Sequence, residues 1–134
     1  VDKISMFFKS AIGAIGSFWS FLVGSLGFAF PTLIVLMAVD FITGLMVGSK
    51  EGKLNSSIGR NGFFKKMYVL MLIGAVYLME RVVFQTQHLG DGVTIAYLVI
   101  EFISIAENGG KLGVPLGPIK KVIAVLKDRE VVKK

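Results

Sequence analysis

Four long apolar blocks divide this chain of 134 residues, and they restrict it to one kind of fold. The first runs from about Ser5 to Phe30, the second from Pro31 to about Gly48, the third from about Phe63 to Phe84, and the fourth from Val93 to about Asn108. Each holds roughly 16 to 25 residues, about 24 to 37 Å as α-helix, enough to cross a hydrocarbon core of about 30 Å. The apolar residues fall in continuous blocks rather than at amphipathic spacing, which marks membrane spans. Charged residues make up 18% of the chain, against about a quarter in soluble domains. Pro31 suits a first helical position, and Gly109-Gly110 stops the fourth block. The expected fold is therefore all-α. It is an integral membrane protein with three to four transmembrane helices and a short C-terminal amphipathic basic helix. One membrane domain covers residues 1–134, with helices at 5–30, 31–48, 63–84 and 93–108 and a basic tail at 111–134.

The net charge of +6 is clustered. Residues 49–66 hold Lys50, Lys53, Arg60, Lys65 and Lys66 against the single acid Glu51, whereas the turn QTQHLGDG (85–92) has no Lys or Arg. The tail carries Lys111, Lys120, Lys121, Lys127, Arg129, Lys133 and Lys134. Basic blocks beside spans favour a cytoplasmic membrane face over nucleic acid. Loop 49–66 and the C-terminus are thus expected in the cytoplasm and the 85–92 turn outside. If the first block also spans, the N-terminus, with Lys3 and Lys9, is cytoplasmic too. Lys53, Arg60, Lys65, Lys66, Lys120 and Lys121 are the candidates for lipid-headgroup contact and for setting topology. Within 118–130, Ile119, Val122, Ile123 and Leu126 share one face. The stretch reads either as a basic amphipathic helix on anionic lipid or as a solvated tail.

In the first block Gly13, Gly16, Ser20, Gly24 and Gly27 recur every three or four residues, in line with Ser5 and Lys9. Such a stripe lets helices approach closely, lines water in an assembly, or belongs to a helix lying on the bilayer surface. A signal peptide ending at Ser25-x-Gly27 is the rival reading. The small residues interrupting its apolar core speak against it.

Two carboxylates fall in the middle of the second and fourth blocks. Asp40 stands nine residues after Pro31 and Glu101 nine after Gly92, so both are expected about 13 Å deep, near the midplane. No Lys or Arg is expected at that depth, since Lys65 and Lys66 fall at the inner end of the third block. Each such acid costs about 2.5–3.5 kcal/mol on insertion scales. Thr43 and Gly44 share a face with Asp40. Tyr97, Ser104 and Asn108 form a stripe with Glu101, and Glu107 lies beside it. Three readings stay open: interhelical hydrogen bonding, a polar surface turned to a partner copy or pore, and a proton relay.

No catalytic site, metal or cofactor is expected. There is no cysteine, His88 stands alone in a polar turn, and no Ser–His pair or phosphate loop is present.

The order of "VLMAVDFITGLMVG", the basic loop "GKLNSSIGRNGFFKK", "IEFISIAENGGKLGVPLGP" and a Lys-rich tail resembles the phage-lysis and toxin-secretion holin family over about residues 30 to 127. The resemblance implies a small protein of the bacterial inner membrane that self-associates and permeabilises it. An endolysin then escapes to lyse the host, or a toxin is released. The implied partners are other copies of the chain, membrane lipid, and the endolysin or toxin. A selective channel would be expected to carry inverted repeats, which the sequence does not show. A purely structural scaffold is the other rival.

Overall fold

The computed structural model describes residues 2–133. Lys134, and the side chains of Ser25, Arg129 and Lys133, lie outside the described residues. The chain is all-α, with no strand among the described residues. Helix α1 spans Asp2–Leu26, α2 Ala29–Glu51, α3 Ser56–Met79, α4 Leu89–Lys111 and α5 Gly117–Lys133. A π-helical turn, Glu80–Phe84, extends α3. Four of these helices, at Asp2–Gly24, Ala29–Glu51, Ser56–Phe84 and Leu89–Lys111, are long and apolar enough to cross a membrane.

Local chemistry sets the ends. Gly52, at φ +68, closes α2, and the next amide, Lys53 N, reaches back to Gly48 O at 2.9 Å. That is a left-handed helix stop of the kind glycine adopts without strain. Asn55 then caps α3, its side-chain oxygen accepting from Ser57 N at 2.9 Å. Because this cap lies so early, α3 begins seven residues before the apolar block that marks it in the sequence. Gly27, at φ +77, makes the turn between α1 and α2. It therefore sits at the end of the small-residue stripe as a turn residue.

Helices α2 and α4 pack side by side, far more extensively than either packs on α3. They run parallel: Asp40 meets Ser104 and Asn108, while Lys50 Nζ donates to Leu112 O at 3.3 Å. Helix α3 runs the other way, so Tyr77 lies beside Phe30, Asp91 and Thr94. The apolar core, Leu22, Phe30, Leu33, Met37, Ile73 and Tyr77, gathers at the end of the bundle near the 85–88 turn. Gly90 lies against the Tyr77 ring, where a Cβ would stand 2.5 Å from ring carbons. Outward-facing positions carry large apolar chains, among them Val35, Ile42, Met71, Leu78, Ile95 and Ile100. A coat of that kind suits lipid and not water.

Helix α1 touches this bundle mainly through Leu22 and is otherwise mostly exposed over residues 2–24. Nothing lies within 4 Å of a Cβ built at Gly13, Gly16 or Gly24, and Ser20 is exposed. The stripe is therefore not used for packing within the chain.

A buried ion cluster as the candidate functional site

Asp40 lies eleven residues before the end of α2, Glu101 ten before the end of α4, and Lys66 ten after the start of α3. At 1.5 Å per residue, all three sit about 15 to 17 Å from the end of the bundle near the 52–55 turn. The helices thus bring two acids and one base to a single level. Lys66 Nζ donates to Asp40 Oδ2 at 2.8 Å and to Glu101 Oε2 at 2.7 Å. The side chains are 23%, 12% and 9% exposed for Lys66, Asp40 and Glu101.

Neutral donors complete the shell. Ser104 Oγ and Asn108 Nδ2 donate to Asp40 Oδ1 at 2.6 and 3.0 Å. Asn108 Nδ2 also donates to Thr43 Oγ1 at 2.9 Å, and Thr43 Oγ1 in turn donates to Asp40 O at 3.0 Å. No buried side-chain nitrogen or oxygen among the described residues lacks a partner. The cluster therefore ties α2, α3 and α4 together by hydrogen bonds, two of them strengthened by charge on both partners.

This geometry corrects the expectation that no cation stands at the acids' depth. The early cap at Asn55 lengthens α3, so Lys66 occupies its third turn instead of the membrane face. The acids consequently find hydrogen-bond partners within the chain, with no sister subunit needed to supply them. Glu107 does not join the cluster. It is exposed and lies 3.9 Å from Lys127 of α5. Tyr97 packs on the apolar core and lines a cavity beside Glu101. Gly44 lies under Asn108. Lys53, Arg60 and Lys65 are exposed around the 52–55 end, and Lys120 and Lys121 are exposed on α5.

A second polar cluster at the opposite end is not evident from residue spacing. Glu80, 4% exposed, accepts from Leu89 N at 2.7 Å and Gly90 N at 2.9 Å. It thereby caps two free amides at the start of α4 and places negative charge at the positive end of that helix. Tyr77 OH donates to Asp91 Oδ1 at 2.7 Å and lies 3.2 Å from Thr94 Oγ1. The only sequence signal for this cluster is an acid at the end of an apolar helix, just before a short turn.

Long lipid-suited helices around a buried ion cluster define a multi-pass α-helical membrane protein. The chain belongs to the bacteriophage holin family, whose sequence profile matches residues 17–128, from the second half of α1 into α5. It is 28% identical over 117 residues to an uncharacterised protein of Halalkalibacterium halodurans, covering 83% of this chain and 87% of that one. An uncharacterised protein of Listeria monocytogenes is 27% identical over 90% of this chain and 86% of its own length. An uncharacterised 14.9 kDa protein from the nagH 3′ region of Clostridium perfringens is 29% identical, over 87% and 89%. No solved structure matches the chain.

Proposed function

We propose that this protein is a holin that self-associates in the bacterial cytoplasmic membrane and opens lesions through which an endolysin leaves to lyse the host. Family membership across residues 17–128 carries the reading. The basic 49–66 segment and tail support a topology with both termini and the 52–55 turn in the cytoplasm and the 85–88 turn outside. The ion cluster is satisfied within one chain, so self-association falls to α1, whose glycine face stands open. Small residues on such a face let helix backbones approach closely in lipid. Opening then requires rearrangement of the assembled helices. Membrane potential biases any step that moves charge, by about 2.3 kcal/mol per charge per 100 mV.

The test is induction in a bacterium with and without a co-expressed endolysin. Abrupt growth arrest alone, and lysis with the enzyme, are expected. Normal growth in both cultures would overturn the reading. A cysteine at Gln87 should be labelled from outside the cell, and one at Lys53 only after permeabilisation. The reverse pattern would invert the topology.

A further inference from the structure

The bundle is closed at one end and fissured at the other. Toward the 85–88 turn, Leu33, Ile73 and Thr94 have no accessible surface, and the Phe30 and Tyr77 rings meet edge to face. Three cavities border Lys66: an apolar one lined by Ile34, Met37, Phe63 and Leu70, and two that also touch the acids. Of these two, one, of about 290 Å³, runs from Lys53 and Asn55 past Gly59 and Gly62 to Asp40. The other, of about 300 Å³, is bordered by Gly62, Lys65, Tyr97 and Glu101. Glycine at 59 and 62 leaves the passage between α2 and α3 unfilled.

Two carboxylates and one ammonium leave the cluster with a single uncompensated negative charge. Ser104, Asn108 and Thr43 donate hydrogen bonds but carry no charge. Lys53 borders the first cavity from the exposed 52–55 turn and Lys65 borders the second from α3, but both ion pairs of the cluster are made by Lys66. Tyr97 also borders the cavity beside Glu101, and Lys127 of α5 pairs with Glu107, away from the cluster. A lone charge at this depth is costly. Two carboxyls held by one ammonium relieve that cost by sharing one proton.

We propose that the Asp40–Lys66–Glu101 cluster is a binding site for one exchangeable proton, loaded through the Gly59–Gly62 cleft. In the transfer, a hydronium ion in the cleft gives its proton to a carboxylate oxygen and leaves as water. No electrons move. With the proton bound, Lys66 pairs with one carboxylate, and without it with two, so the tie between the three helices depends on proton occupancy. Naming the cleft side cytoplasmic rests on the topology proposed above. The proton site itself does not.

The test uses the full chain reconstituted at one copy per lipid nanodisc, which removes assembly and lysis from the measurement. Infrared spectra across about pH 5 to 9, a range wide enough to find a displaced carboxyl proton, should show a protonated-carboxyl band. The band should be absent from Glu101→Gln and from Asp40→Asn, each of which balances the charge without a proton. Gly62→Leu fills the cleft where a Cβ meets nothing within 4 Å. It should slow deuterium exchange of that proton about tenfold, equivalent to about 1.4 kcal/mol of added barrier. Gly74→Leu, toward the closed end, should not. Absence of the band from the wild type, or its survival in either acid variant, overturns the site. Exchange unaffected by Gly62→Leu overturns the route. A chain that fails to cause lysis would leave both results standing.

Discussion

Lys66 Nζ lies 2.8 Å from Asp40 Oδ2, joining a residue of the basic segment to an acid in the middle of an apolar helix. The contact turns Lys66 from a topology signal into a structural partner. It also explains how α2 and α4 can each carry a carboxylate in lipid, since one ammonium holds both acids. Breaking a buried ion pair by removing one partner costs about 3–5 kcal/mol, because the other charge stays behind.

Lys66→Met should therefore destabilise the bundle by several kcal/mol, less than the full figure because its side chain keeps 23% exposure. Adding Glu101→Gln and Asp40→Asn to Lys66→Met should recover much of the loss. Denaturation in bicelles measures both, and an additive triple variant would mean that the three residues act independently.

Asp40→Asn keeps a side chain able to accept from Ser104, so insertion should be unchanged. It loses the charge that holds Lys66. Lysis timing under induction is expected to shift. Unchanged timing and assembly would show that Asp40 has no part in opening.

Glu80→Gln replaces one of the two accepting oxygens with an amide that faces a backbone N–H. The start of α4 should lose about 1–2 kcal/mol, as when a helix cap is removed. Hydrogen exchange should quicken at Leu89 and Gly90 and stay unchanged at the amides around Glu101.

Gly90→Ala forces a Cβ to within 2.5 Å of the Tyr77 ring, and overpacking of this kind costs about 1–3 kcal/mol. Thermal unfolding in detergent should register the loss. The added Tyr77→Leu change should restore part of it by removing the ring.

Gly16→Leu meets open space within the chain, so the stability of the single copy should not change. Cross-linking in membranes should instead show self-association weakened by about tenfold or more, equivalent to about 1.4 kcal/mol. Unaltered cross-linking would move the self-association surface away from this face of α1.

Much of the architecture is legible along the chain, because spanning lipid requires long apolar helices and those are visible without tertiary contacts. The acids at 40 and 101 and the donors at 43, 104 and 108 stand out for the same reason, as polar side chains inside apolar runs. Lys66 does not. It follows Phe63 and Phe64 in a segment that reads as a loop, and hydropathy alone does not reveal that Asn55 starts the helix earlier. Glu80 is hidden likewise, since the amides it caps belong to the next helix.

By itself, then, the sequence determined the helical class, the blocks apolar enough to span lipid and the charge asymmetry between their ends. These depend on the transfer of single segments between water and lipid. Only the tertiary structure decided which charge answers which. Pairing depends on the heights at which three separate helices place their side chains, and that height is set by caps, turns and packing far along the chain from the charges themselves.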